Sequence, residues 1–330
     1  MKHILPVILS GLLFVSCWHR YHTDKGTVFR TLYQVKYQSN IALTEKINAE
    51  LEAFNLSLNP FNPNSILAKV NRNEEVEIDT LFRNVFVRAM EVSDQSNGRF
   101  DVTAAPLINL WGFGFERIDS ISPEMIDSLK TFVGYRKVRM EGNRIVKDDP
   151  RVILNFSAIA KGYACDVIAA LLEREGVENY LVEIGGEITA KGKNARGICW
   201  QIAINMPDDD LYLLQNTFKE TVEICNKSGM ATSGNYRNYY IKDGKKITHT
   251  IDPVTGYPAE QDILSATVIA HDCMTADAYA TAFMVMGSED ACRLAGQISE
   301  IDYYIIYSGE DGYTRISHSD GMALRLVNRK

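Results

Sequence analysis

Cysteine is scarce, with 6 in 330 residues, and no two of them form a C-x-x-C pair. Zinc-ribbon and thioredoxin-like motifs are thereby excluded. Apart from Cys17, the cysteines are Cys165, Cys199, Cys225, Cys273 and Cys292. They are dispersed and odd in number, so no disulfide framework is expected and buried small hydrophobes are. Basic excess is missing too: Lys and Arg total 35 against 42 for Asp and Glu, a net charge of −7. A protein that tracks phosphate backbones carries the opposite balance, which excludes nucleic acid as a partner. No G-x-G-x-x-G follows a strand, so a Rossmann site is not expected. Long apolar runs are also absent. The longest, Ile4 to Val15, falls short of the roughly 20 residues a membrane span requires.

That short run follows Lys2 and His3 and has the proportions of a secretory signal. It ends in Phe14-Val15-Ser16-Cys17, which looks like a lipobox, where cleavage precedes a cysteine that then receives lipid. The alternative is an ordinary signal peptide with a chance cysteine. The expected organisation is a signal peptide over 1–16, a lipidated Cys17 with a short tether to 25, and one domain over 26–330. Such a chain is a bacterial lipoprotein, anchored on the periplasmic side and soluble beyond its anchor.

Within the domain, Gly26 to Tyr37 mixes β-branched and aromatic residues and predicts a strand. Leu43, Ile47, Leu51 and Phe54 fall at helical spacing, and Leu81 to Val92 predicts a second amphipathic helix. Asn59 to Ser65 reads as a loop, and Ser122-Pro123 as a helix start. Val152 to Phe156 predicts a buried strand leading into a helix over Ile159–Glu175. Further strands are expected at Tyr180–Ile184 and Leu264–Ala270, and a helix over Thr275–Met286. Arg237–Ile241 and Lys246–Ile251 flank Asp243-Gly244, a hairpin signal. The elements show no regular βαβ period. The fold class is α+β, with a mixed or antiparallel sheet and packed helices.

Four segments carry possible chemistry. In Leu154-Asn-Phe-Ser-Ala-Ile-Ala-Lys161-Gly162, a helix start with Ser157 as cap, Gly162 for close approach and Lys161 for charge would suit an anion; a plain turn with a solvated lysine is the alternative. Asp277 and Thr281 lie four apart, on one helical face among apolar neighbours. A buried carboxylate is costly unless paired or bound to metal, and Asp with Thr offers oxygens to a hard cation such as magnesium. Asp277 could instead complement the helix dipole from the first turn. Strand alternation puts Ile247, His249 and Ile251 on one face, making His249 a candidate general base or a satisfied core histidine. Phe100, Trp111, Phe113 and Phe115 could form an aromatic wall for a flat ligand, or belong to the core.

Taken in order, several segments resemble the ApbE family, the FAD:protein FMN transferases. They are Phe61-Asn-Pro-Asn-Ser65, Gly98-Arg-Phe-Asp-Val-Thr103, Leu110-Trp-Gly-Phe-Gly114, Ala160-Lys-Gly-Tyr163 and Ile184-Gly-Gly-Glu187. Ala231-Thr-Ser-Gly-Asn-Tyr236, His249-Thr-Ile-Asp-Pro-Val-Thr-Gly256 and Ala276-Asp-Ala-Tyr-Ala-Thr281 complete the series. The resemblance implies an FAD site at Lys25, Phe61, Arg99, Phe100, Asp101, Asn155, Lys161 and Ile251. Lys25 stands where methionine is common, and Asn155 where aspartate is. Magnesium is implied on Asp277, Thr281 and the carbonyl of Ala158, and the catalytic histidine maps to His249. Ala280 replaces a further aspartate that some relatives carry. The implied reaction moves FMN from FAD to a threonine or serine hydroxyl of an exported redox flavoprotein and releases AMP. An FAD pyrophosphatase, in which water replaces the hydroxyl, and a non-catalytic flavin-binding lipoprotein are the alternatives.

Overall fold

The computed structural model describes residues 20–113, 121–205, 218–234, 239–242 and 245–327. The predicted signal segment, Cys17, Gly114, Phe115, Tyr236, Arg237 and the Asp243-Gly244 turn lie outside the described residues. The stretch expected as one strand over Gly26–Tyr37 is a hairpin. Strands β1 (Arg20–Val28) and β2 (Thr31–Ser39) pair antiparallel, with Val28 opposite Thr31. Its turn residues, Phe29 and Arg30, have φ of +50° and +64°. Such turns usually take Asn or Gly, so the sequence shows no break here. Packing holds the tip instead: the Phe29 ring lies 5.1 Å from that of Phe54, and the Arg30 guanidinium sits 4.6 Å over Phe61. Residues Arg20 to Lys25, expected in the tether, form most of β1.

Helix α1 (Thr44–Leu58) buries Ile47, Leu51, Phe54 and Leu58, the stripe its periodicity predicts. Ser65 caps α2 (Ile66–Asn71), and Asp79 caps α3 (Thr80–Gln95) by accepting from Phe82 N at 2.8 Å. After α4 (Ala105–Ile108), α5 (Pro123–Lys130) starts with Ser122 as cap and Pro123 in its first turn, as expected. A small hairpin follows, β3 (Val138–Glu141) with β4 (Arg144–Lys147).

Val152–Phe156 does not form the expected strand. Its backbone is satisfied by other groups: Leu154 exchanges two 2.8 Å hydrogen bonds with the Asn71 side chain, and Asn155 N donates to Val102 O at 2.7 Å. An amide side chain stands where a neighbouring strand would, so no ladder forms. Helix α6 (Ala160–Arg174) leads to β5 (Tyr180–Ile184) and β6 (Glu187–Lys191). Then come β7 (Trp200–Asn205), β8 (Phe218–Ile224), β9 (Ser228–Gly234), β10 (Tyr239–Lys242), β11 (Lys245–Thr248) and β12 (Ile263–Ala270). The chain continues through α7 (Cys273–Met286), α8 (Ser288–Ala295), β13 (Ile301–Ser308), β14 (Thr314–His318) and α9 (Asp320–Ala323).

Eight strands form one sheet in the order β1-β2-β5-β6-β9-β12-β13-β14, and every described pairing is antiparallel. This is the expected α+β class. One sheet face packs on the main core with α1, α6 and α7. The other carries a second core, where Trp200, Ile202, Val222 and Ile224 of β7 and β8 meet Leu181, Ile188, Met230, Ile269 and Ile306. Beside the Trp200–Ile224 pair, Cys199 and Cys225 form a disulfide. That corrects the expectation that all these cysteines are free, because pairing across a hairpin depends on register, which spacing alone does not reveal. Cys165 and Cys273 are buried thiols, as expected. Among the described residues, no helix is long and apolar enough to cross a membrane.

Candidate active site

Two helix starts meet beneath the sheet. Ser157, expected to cap α6, is exposed, and its N–H bonds Asn155 Oδ1 at 2.8 Å. Residue Ile159, at the cap position, offers no side-chain acceptor. Instead Asp277, from α7, accepts from Gly162 N at 3.0 Å. One of the donors that every helix start leaves open is thus closed by another helix. Gly162 permits this approach: a Cβ there would overlap the carbonyl oxygen of Cys273, and a Cβ on Gly229 of β9 would overlap Cys273 N. The start of α7 is itself served by Asp272, which accepts from Thr275 N at 2.8 Å, and by Asp166, which accepts from Cys273 N at 2.9 Å and Met274 N at 2.8 Å. Asp277 is in the second turn, so its dipole-complementing reading does not hold.

Lys161 projects from the first turn of α6. Its Nζ lies 2.5 Å from Glu187 Oε1 and 4.0 Å from Asp277 Oδ1. Burial opposes the lysine charge, but Asp277 and Glu187 outweigh it and hold the pKa above the usual lysine range. Burial likewise raises Asp277, with Lys161 and the Gly162 N–H opposing. Burial and the neighbouring Asp277 push Glu187 up to about 7. One ammonium does not offset two buried carboxylates, so the cluster is short of positive charge. Glu187 Oε2 is buried without a hydrogen-bond partner among the described residues. A hard divalent cation fits this donor chemistry: the Asp277 carboxylate, the Thr281 hydroxyl one turn on, and the Ala158 carbonyl, which precedes α6. Thr281 is half-buried, 3.4 Å from Ser233 Oγ at the end of β9.

His249 is carried by another element, beside Phe113. It follows β11, which ends at Thr248, so strand alternation does not orient it as expected. Its half-buried ring lies 6.2 Å from Phe113, edge to face, and Phe113 lies 5.4 Å from Tyr240. Gly112, with φ of +81°, turns the chain between Trp111 and Phe113. Trp111 Nε1 donates to Gly256 O at 2.9 Å, and Tyr240 Oη to Trp111 O at 3.0 Å. Trp111 and Phe113 thus form an aromatic surface, whereas Phe100 is core at 2% exposure.

The remaining implied flavin residues are dispersed over several elements. Lys25 is exposed on β1, opposite Gln34. Phe61 is exposed beneath Arg30. Arg99 is ion-paired with buried Asp252. Asp101 accepts from Thr103 N at 2.7 Å, Thr103 Oγ1 at 2.6 Å and Tyr135 N at 2.8 Å, while burial raises its pKa. Ile251 is buried and bridges to Pro258. A hollow of about 380 Å³ borders the hairpin tip at Gly26 to Phe29, and one of about 410 Å³ lies between Gly98, Asp101 and Val254. Neither is lined by Lys161 or Asp277.

The ApbE family profile matches residues 29–305. The chain belongs to the ApbE family. It is similar to the FAD:protein FMN transferase of Vibrio cholerae, at 36% identity over 97% of this chain and 98% of that one. The Escherichia coli K12 enzyme of the same name is 33% identical over 95% of each chain. The solved structure of Flavin Transferase ApbE from Vibrio cholerae superposes with a TM-score of 0.83 at 34% identity, covering 93% of this chain and 100% of that one. Within this ApbE fold, three residues at the helix junction and loop had no role in the sequence reading: Glu187, Asp166 and Asp252. Glu187 and Asp252 stand inside recognised motifs, but their partners are remote in sequence. Asp166 has only its helical position to announce it.

Proposed function

We propose that this protein transfers FMN from FAD to a threonine or serine hydroxyl of an exported flavoprotein. The single observation that carries the reading is the junction where buried Asp277 meets Gly162 N and Lys161. In the proposed reaction the acceptor oxygen bonds the phosphorus of the FMN half, the bond from that phosphorus to the bridging oxygen breaks, and AMP leaves with it. His249 takes the hydroxyl proton. Lys161 offsets charge on the diphosphate, the chief demand of phosphoryl transfer. Magnesium, held by Asp277, Thr281 and the Ala158 carbonyl, would supply further charge neutralisation at the phosphates. Phe113, beside His249, and Trp111, two residues earlier, offer apolar surface to a flat ring. Lys25, Phe61, Arg99, Asp101 and Asn155 complete the proposed flavin site, with Phe100 and Ile251, whose side chains are buried, contributing through main-chain atoms.

The same reading makes the chain a lipoprotein, exported by residues 1–16 and anchored to the membrane through Cys17 on the periplasmic side. The Cys199–Cys225 disulfide supports export, because such bonds persist in oxidising compartments. Mass spectrometry of a co-expressed exported flavoprotein tests the function. The expected result is FMN mass on a threonine or serine, present with magnesium and absent with chelator. Release of FMN and AMP from FAD with no protein-bound flavin would overturn transfer in favour of hydrolysis.

A further inference from the structure

Glu187 follows the Gly185-Gly186 turn, where both residues have positive φ, +67° and +106°. A Cβ on Gly185 would lie 3.1 Å from Lys161 Cδ and 3.1 Å from Thr31 Cγ2, so bare backbone leaves the lysine stem its passage. The Glu187 carbonyl accepts from Cys165 Sγ at 3.2 Å, fastening this strand start to the helix that carries Lys161. Glu187 is 5% exposed, with one oxygen on Lys161 Nζ at 2.5 Å and the other without a hydrogen-bond partner among the described residues. Burying a carboxylate in this half-satisfied way is costly, and folding alone does not call for it.

Lys161 has two acids within reach and touches one. Nζ is in contact with Glu187 but 4.0 Å from Asp277 Oδ1, beyond hydrogen-bonding distance. A lysine stem has four rotatable bonds and is mobile unless something fixes its end. We infer that Glu187 is a positioning residue: it draws the Lys161 ammonium off Asp277, leaving that carboxylate open to a divalent cation while the ammonium stays aligned for a diphosphate. The inference rests on the proposed roles of Lys161 and Asp277. Without Glu187, Lys161 settles on Asp277, and the two compete with the cation by forming their own ion pair.

The test is a double-mutant cycle in the full chain with Glu187→Gln, Lys161→Ala and the double variant. Two quantities are read: kcat/KM for FAD in flavin transfer to the acceptor, and magnesium binding by calorimetry without FAD. Glu187→Gln alone is expected to lower both by about tenfold. In the Lys161→Ala background, the same substitution should change neither by more than about twofold, because there is no lysine left to place. Equal losses in both backgrounds would make Glu187 a fold-supporting residue and overturn the inference, as would no loss in either. Glu187→Ala run through the same cycle guards against an effect peculiar to the amide. Lys161→Ala as active as the unaltered chain would overturn the inference together with the reading of Lys161 on which it rests.

Discussion

The Lys161–Asp277 junction and the His249 neighbourhood are built in opposite ways. The first is made by two helices and a strand packed at backbone contact, with its carboxylates buried and its lysine half-buried. The second is a half-buried group of rings carried by turns and short segments, held by edge contacts and hydrogen bonds to backbone carbonyls. Buried charge gains strength for holding an ion but costs folding free energy when the ion is absent. Rings on turns cost little and can adjust to a ligand or to an incoming polypeptide. Substitutions at the junction should therefore alter both stability and rate, and those around His249 chiefly rate.

The largest effect is expected from Asp277→Ala, with transfer slower by about a thousandfold. Magnesium should raise the melting temperature of the unaltered protein and not of this variant. Undiminished transfer by the variant in excess chelator would remove the metal from the junction. His249→Ala should slow transfer by about a hundredfold. FAD affinity and melting temperature should stay near those of the unaltered chain, measured by flavin fluorescence and by thermal unfolding. A fall in melting temperature as large as that of a junction variant would erase the distinction between the regions.

Gly162→Ala should cost about 2 kcal/mol of stability, since the new methyl meets main chain that cannot move aside. Denaturant titration measures it, and a neutral result would mean that the helices are less tightly seated than their packing indicates. The smallest effect concerns Asp166, whose pKa burial and Asp272 push up to about 7 from an ordinary 3.8. The folded chain then holds a proton that the unfolded chain has released, so this group's contribution to stability falls as pH rises from about 4 to about 7. Asp166→Asn should lose less stability than the unaltered protein between pH 5 and pH 7.5. Parallel pH curves for the two would refute the assignment.

Periodicity made α1, α3, α6 and α7 legible, because each buries a stripe or lies wholly within the core. Features closed by distant partners were not legible. The tip at Phe29-Arg30 takes a left-handed conformation without the usual residues, held by rings from α1 and the loop after it. Val152–Phe156 has the pattern of a strand, yet its hydrogen bonds go to Asn71 and Val102. At the junction, Lys161 and Asp277 could be nominated from the sequence. Glu187 could not be given a role, because its significance lies in an unpaired oxygen and a lysine 26 positions earlier.

Gly162 and Gly229 flank the same residue, Cys273, from opposite sides. The Cys273 backbone is therefore met at close range by the main chain of α6 and of β9, with the Asp166 carboxylate on its N–H, and the interval from α6 across α7 to β9 has no room for a Cβ at either glycine. Side-chain repacking elsewhere in the core has little leverage over that interval. The distance between the Gly162 N–H and the Asp277 carboxylate inherits the stiffness of peptide geometry, which suits the proposed metal site, where ligands must meet an ion at a nearly invariant bond length.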